Sequence, residues 1–209
     1  MKALSIRNPI ILFAYTAIVL AALLCICTLY MENDMLYMKN ETMEQDIIEW
    51  QRKTQELNNE LEKINRFTQN YGTSPEVAAA VLRESELFDI EPAIMFELIK
   101  LESDFDANAV SSHGAIGLCQ LRPLTARELS KDLGVTYSDD MLYDIDYNIM
   151  LAAYYLSTLL ETHNNDYHKA LTAYNRGPTG LQNYIARTGS AISSYSSRIF
   201  KENLAFVAQ

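Results

Sequence analysis

From Ile10 to Met31 the chain reads IILFAYTAIVLAALLCICTLYM, without one charged side chain. As a helix, a run of that length rises roughly 33 Å, enough to span a bilayer while satisfying its own backbone polar groups. Lys2 and Arg7 precede the run, and Glu32 and Asp34 follow it. The positive-inside rule therefore places residues 1–9 in the cytoplasm as a short tail and everything beyond Met31 outside. A cleaved signal peptide is the competing reading. It calls for a shorter apolar region and a small-x-small site, whereas this run closes with Cys-Ile-Cys-Thr-Leu-Tyr. Leu24 and Ile26, which precede Cys25 and Cys27, fit a lipobox poorly. Residues 10–31 are expected to be a single-pass transmembrane signal anchor.

The chain is long enough for one domain with a real core plus appendages: it has 209 residues, 49% of them hydrophobic. Lys and Arg number 17 against 27 Asp and Glu, a formal net charge of −10. Phosphate binding is driven by clustered cations, and no run of them appears, which argues against nucleic acid as a partner. Cys25 and Cys27 lie inside the apolar run and Cys119 has no evident mate, so no disulfide framework is expected. His113, His163 and His168 have no metal-ligand spacing. Asp104, Asp106 and Asn108 imitate the start of a calcium loop, but Ala109 stands at its glycine position and Ala115 at its glutamate position. No metal or cofactor is expected.

Residues 32–72 are polar and rich in helix formers. Met43, Ile47, Trp50, Thr54, Leu57, Leu61, Ile64, Thr68 and Tyr71 recur there at alternating spacings of four and three, a heptad stripe. Two readings fit. One is a coiled-coil stalk that forms a homodimer, and the other is a solitary amphipathic helix lying on its own domain. Gly72–Glu76, GTSPE, then punctuates the chain, with Ser74 as N-cap and Pro75 in the first helical position. A domain is expected over residues 73–209, with helices at about Pro75–Leu87, Pro92–Glu102, Leu124–Leu133, Tyr147–Thr162 and Tyr167–Tyr174. Two shorter ones are expected after Pro178 and Ile192. Strand-period alternation is hard to find, so the fold class is mainly α.

In PAIMFELIKLES, Ile94, Met95, Leu98, Ile99 and Leu101 make a helix that is apolar over most of its circumference, and Glu102 arrives in its last turn. Partial burial and the negative end of the helix dipole both disfavour a carboxylate there, so a raised pKa and a role as general acid are expected. Gly114 and Gly117 permit positive φ or close backbone approach, and Ser111 and Gln120 can aim polar side chains at the helix end or at a ligand.

The segments ESDF from Glu102, NAVSSHGAIGLCQLRPLTA from Asn108, NIMLAAYYLSTLL from Asn148, ALTAYNRGPTGLQNYI from Ala170 and YSSRI from Tyr195 occur in one order. Together they resemble the signature of the lytic transglycosylase family of the soluble-lytic-transglycosylase type (the SLT domain), over essentially Ser74 to Phe200. The resemblance implies a lysozyme-like helical domain in a bacterial cell-wall enzyme. It also implies that Glu102 is the catalytic residue and that Ser111, Gly117, Gln120, Tyr174 and Asn175 are substrate-binding, with Tyr174 approaching the acid. Two departures stand out. Cys119 replaces the methionine usual in GLMQ, and Ala191 aligns with a second glutamate that many members carry four residues before the closing tyrosine.

The implied reaction is cleavage of the bond between N-acetylmuramic acid and N-acetylglucosamine in peptidoglycan glycan strands, leaving 1,6-anhydromuramic ends and using no cofactor. Hydrolysis by a muramidase-like route, or a tethered peptidoglycan-binding scaffold with weak turnover, are the alternatives. The charge asymmetry around the anchor generates a direct test: protease added to intact spheroplasts should remove the domain after Gly72, and protection of that domain would reverse the topology.

Overall fold

The computed structural model describes residues 9–207, with side chains described as far as Lys201. The expected cytoplasmic tail, residues 1–9, thus lies outside the described residues except for Pro9. The chain divides into two compact units, Met1–Glu60 and Leu61–Gln209.

In the first unit the described residues belong to helix α1, Pro9–Tyr71. Its apolar N-terminal part is long and apolar enough to cross a membrane, and its side chains are not buried by protein. Thr16 and Thr28 turn their hydroxyls back onto the Phe13 and Cys25 carbonyls, at 2.8 Å each, so neither needs water. Further along, Met43, Ile47, Trp50 and Leu57 of the heptad stripe are exposed.

The second unit contains the last turns of α1 and helices α2 (Pro75–Leu87), α3 (Pro92–Ser103), α4 (Pro123–Leu133), α5 (Ile145–Thr162), α6 (Tyr167–Thr188) and α7 (Ser194–Val207), with a 3-10 turn at Asp139–Tyr143 before α5. No strand occurs among the described residues, only isolated bridges that join Ile116 to Val110 and to Leu121. The helix starts reflect local chemistry. Proline opens α2, α3 and α4, where its missing N–H costs nothing. Ser74, Asp144 and Asp166 cap α2, α5 and α6 by accepting from the Val77, Tyr147 and Lys169 amides.

Helix α3 is the core element. Ile94, Met95, Phe96, Leu98 and Ile99 have at most 1% of their surface exposed, and each such side chain contributes about 1.5–3 kcal/mol through burial. α2 and α7 pack against α3, and α5 packs against α2, α4 and α6. The ring of Phe96 stacks on Phe67 and on Tyr71, with centroids 4.7 Å apart in both pairs. The final turns of α1 therefore belong to the compact unit, although their Ile64, Thr68 and Tyr71 continue the heptad stripe of the stalk.

The sequence suggests separate helices on either side of Pro178, and α6 is indeed two helical segments within Tyr167–Thr188, broken at Gly177, whose φ of 73° and ψ of 162° are not helical. The glycine absorbs the turn that lets Pro178 restart the helix without a clash. Replacing Phe96 by Ala should cost about 3–5 kcal/mol. In thermal unfolding followed by tyrosine near-ultraviolet circular dichroism, this lowers the melting temperature by roughly 10–15 °C.

Candidate active site

Glu102 lies half-buried in the last turn of α3. The chain leaves that turn through two successive left-handed residues, Asp104 (φ 52°) and Phe105 (φ 64°), and then folds residues 108–121 into a compact loop beside the helix end. The loop is held by its own bonds. Ile116 and Leu121 exchange backbone hydrogen bonds of 2.9 and 3.1 Å, and the Gly117 amide donates to Ala109 O at 2.9 Å.

Four consecutive carbonyls of this loop each receive a side chain. Asn148 Nδ2 donates to Ile116 O at 3.1 Å, Gln120 Nε2 to Gly117 O at 2.9 Å, Ser103 Oγ to Leu118 O at 2.8 Å, and Tyr174 Oη to Cys119 O at 3.0 Å. These donors come from α5, the loop itself, α3 and α6. Asn148 is buried and spends its whole amide here: Nδ2 also donates to Leu142 O at 2.8 Å, and Oδ1 accepts from the Cys119 amide at 2.9 Å. Gly117 has φ 79°, and a Cβ on it would collide with the Leu142 carbonyl oxygen and the Asn148 amide. Only glycine fits there.

The catalytic candidate has a partner that the sequence motifs do not assign. Tyr195, near the start of α7, donates its hydroxyl to Glu102 Oε1 at 2.6 Å. Tyr174, expected to approach the acid, donates its hydroxyl to Cys119 O, where it also feels the Glu102 charge, while its ring leans on Tyr155 with centroids 5.2 Å apart. Tyr195 is seated by the polar start of its own helix. Ser196 Oγ accepts from the Ser193 amide at 3.1 Å and meets His168 Nδ1 at 3.0 Å. Thr172 Oγ1 donates to Ala191 O at 2.8 Å. The YSSRI segment is the available signal for this residue, but its tyrosine lies 93 positions from Glu102.

Of the other expected site residues, Gln120, Tyr174 and Asn175 line one groove, together with Tyr155 and Arg122. Ser111 does not join them among the groove-lining residues. Its hydroxyl stays within its own turn, accepting from the Ala115 amide at 2.9 Å and the His113 amide at 3.3 Å. Gly117 faces Leu142 and Asn148. Ser103 acts through the backbone, as a helix-terminal hydrogen-bonding residue should.

Burial raises the pKa of Glu102, and the Tyr195 hydrogen bond opposes that rise without cancelling it. Burial also pushes the Tyr195 hydroxyl well up, helped by the neighbouring Glu102 charge, so Tyr195 remains a proton donor across the neutral range. The Cys119 thiol is likewise pushed well up, by burial first and then by Glu102. It is a fully buried, neutral side chain, not a nucleophile. The arrangement is that of a single carboxyl group whose protonated form is favoured by burial and whose charged form is stabilised by one phenol.

A general acid works only while protonated, so activity should fall as pH rises through the Glu102 pKa. Tyr195→Phe removes the bond that favours the carboxylate. The alkaline limb of the pH–rate profile should therefore move to higher pH, while the rate at the optimum falls about ten- to a hundredfold, as expected for losing a hydrogen bond to a charged group. An unmoved alkaline limb would detach Tyr195 from the titration of Glu102.

Comparison with known proteins agrees with this geometry. The family model described as "Transglycosylase SLT domain" matches residues 79–196, more than half of the chain. The "Transglycosylase" of Enterobacteria phage PRD1 is 34% identical over 123 residues, which are 58% of this chain and 41% of the relative. The "Membrane-bound lytic murein transglycosylase C" of Edwardsiella ictaluri (strain 93-146) is 31% identical over 124 residues, 54% of this chain and 34% of the relative. The chain thus spans well under half the length of these relatives. Among solved structures, an inactive mutant of the lytic transglycosylase Slt from Pseudomonas aeruginosa superposes with a TM-score of 0.50 at 34% identity, covering 53% of this chain and 18% of that one. The 70 kDa soluble lytic transglycosylase from Escherichia coli, at 24% identity and a TM-score of 0.50 over 61% of this chain and 22% of its own, shows the same fold. With the family match, the helical fold and the motif segments gathered around Glu102, this chain belongs to the transglycosylase SLT domain family.

Proposed function

We propose that this chain is a membrane-anchored lytic transglycosylase. It cleaves the β-1,4 bond between N-acetylmuramic acid and N-acetylglucosamine in peptidoglycan, with Glu102 as general acid and then general base. The observation that carries this reading is the Glu102 carboxyl, half-buried, with its pKa raised by burial and its charged form supported by the Tyr195 hydroxyl.

Protonated Glu102 gives its proton to the glycosidic oxygen as the bond to the muramoyl anomeric carbon breaks. The N-acetyl oxygen of the same sugar shares the developing positive charge. Glu102, now a carboxylate accepting from Tyr195, takes the proton of the muramoyl 6-hydroxyl while that oxygen bonds to the anomeric carbon. The proton count closes and no water is consumed. A single acid suffices because the nucleophile is carried by the substrate at high effective concentration. Glycosidases that activate water or form a covalent intermediate place a second carboxylate across the bond. The groove beside Tyr174 has no carboxylate in its lining, and position 191 holds alanine. The first supports ring closure over hydrolysis; the alanine does not discriminate, because the resemblance implies ring closure for members with the glutamate too.

The reading extends to the N-terminal unit. The helix from Ile10 to Met31 anchors the protein with its N-terminus in the cytoplasm and the domain outside, where peptidoglycan lies. The exposed seam of Met43, Ile47, Trp50 and Leu57 supports pairing of two stalks as a homodimer.

Glu102→Gln keeps the shape of the side chain but has no proton to give. The protein should stay folded and lose about a hundredfold to ten-thousandfold of its rate. Fragments released from sacculi by the unmodified protein should be one water lighter than muramidase fragments and should resist borohydride reduction at the muramic end. Reducible ends would mean a hydrolase. Binding to sacculi with no fragments at all would mean a scaffold.

A further inference from the structure

Helix α1 carries its heptad stripe further than the apolar residues that first mark it. Counted back from Met43 by threes and fours, the stripe continues through Asn40, Leu36, Asn33, Leu29 and Ile26. With Asn33, Asn40, Ile47 and Thr54 at position a of the heptad, Leu36, Met43, Trp50 and Leu57 fall at position d. Between Pro9 and Gly72 there is neither proline nor glycine, and α1 is one helix across the end of the apolar run. The phase set outside the membrane therefore continues into it. The seam also has a definite end. Met43, Ile47, Trp50 and Leu57 are open to solvent, Trp50 over 68% of its surface. Beyond the unit boundary after Glu60, Ile64 and Tyr71 pack against the core of the second unit. The same stripe is used within its own chain from Ile64 onward and left open before it.

The open part has the shape and the charges of one strand of a pair. Ile47, Trp50, Gln51, Thr54 and Gln55 line one hollow. The first four stand at a, d, e and the next a, the set of positions that receives a knob from a facing helix. Thr54 turns its hydroxyl onto Trp50 O at 2.7 Å, so it can enter an apolar layer without an unpaired donor. In a parallel pair, Lys39 at g meets Glu44 at e of the second copy, while Asp46 and Lys53 at g meet the neutral Gln51 and Asn58. No like charges meet. The side-chain pairs that α1 makes within itself here, Arg52 with Glu56 and Gln55 with Asn59, lie at b, c and f, off the seam.

We propose that Asn33 and Asn40 pair with the same residues of a second copy just outside the membrane, and fix the stalk as a parallel, in-register, two-stranded coil that ends at Leu57. The proposal rests on the reading of residues 10–31 as a membrane anchor, and it gives the pairing of stalks a direction, a register and a strand number. Two anchors that enter the membrane in the same sense lie parallel. In register, each a residue meets its own counterpart, so one asparagine amide meets another, donor to acceptor. A slip of one heptad, about 10 Å along the axis, would set Asn40 against Ile47 and leave its amide unpaired in an apolar layer. It would also draw one apolar run out of level with the other in the bilayer. Ile47 at a with Leu36 and Leu57 at d favours two strands, and a buried asparagine at a enforces that number while lowering stability.

The test uses the full-length chain in density-matched detergent micelles, with the number of chains per particle read by sedimentation equilibrium. The unmodified chain should give two. Asn33→Leu/Asn40→Leu should tighten association about tenfold or more, because two buried polar layers go, and should add particles of three or more chains. Gln45→Leu/Asn59→Leu adds the same apolar surface at f and should leave two. With Cys25, Cys27 and Cys119 each replaced by Ala, oxidation should join Leu36→Cys into a disulfide-linked dimer and leave Gln45→Cys unjoined. A monomeric unmodified chain, a double Leu variant with unchanged association and chain number, or equal cross-linking at the two positions overturns the proposal. The readings beneath it are checked apart from it: alkaline extraction of membranes reports the anchor, and release of anhydro ends reports the catalysis. Should either of those fail, chain number and cross-linking still decide the pairing. Far-ultraviolet circular dichroism of each variant reports whether the helix is intact.

Discussion

The side-chain amide of Asn148 is the interaction on which the rest of the site depends. It is buried on α5, and all three of its hydrogen bonds go to backbone groups of the loop region: Leu142 O, the Cys119 amide, and Ile116 O, which also accepts from the Leu121 amide. Loops normally stay on the surface because their polar backbone cannot be satisfied inside. Here one residue supplies what water would, which lets Ile116–Cys119 be buried against the core. Gly117 completes the fit, since any side chain would push the loop off the asparagine. With the loop fixed, Leu118 O and Cys119 O become the fixed points to which Ser103 of α3 and Tyr174 of α6 are tied.

That junction explains how a helix end carries an acid whose environment is set from both sides. Helix α3 is too apolar to leave Glu102 in open water, so burial raises its pKa. The opposing contribution comes from Tyr195, whose position is governed by the hydroxyl cluster of Thr172, Ser193 and Ser196 with His168. Two packing systems therefore meet at one carboxyl. The loop side holds the helix end and the groove wall, and the α7 side holds the phenol. Neither depends on a charged partner, which suits the proposed role of Glu102 as a group that exists in both protonation states during one turnover.

Much of this is legible in the amino-acid order because it is local. Pro75, Pro92 and Pro123 at helix starts, Asp144 and Asp166 as caps, and the apolar circumference of α3 act within a few residues. Pro178 is legible too, because a proline in a helical pattern reads as a break, and the chain leaves helical geometry at Gly177 before α6 resumes. The heptad spacing that runs to Tyr71 cannot say where its faces are used, and only the stacking of Phe67 and Tyr71 on Phe96 shows that the last turns join the core. Asn148 and Tyr195 are visible inside motif segments, yet their partners lie across the fold. No periodicity links Tyr195 to Glu102 or Asn148 to Cys119.

The segment through position 191 is held by its backbone. The Ala191 carbonyl accepts from Thr172, and the next carbonyl, Ile192 O, accepts from Tyr184. Neither bond uses the side chain at 191, so the seat of Tyr195 four residues on, and with it the phenol that meets Glu102, is built without it. In the proposed reaction the proton traffic therefore rests on Glu102 and Tyr195, and position 191 is free to depart from the glutamate that the resemblance places there in many members.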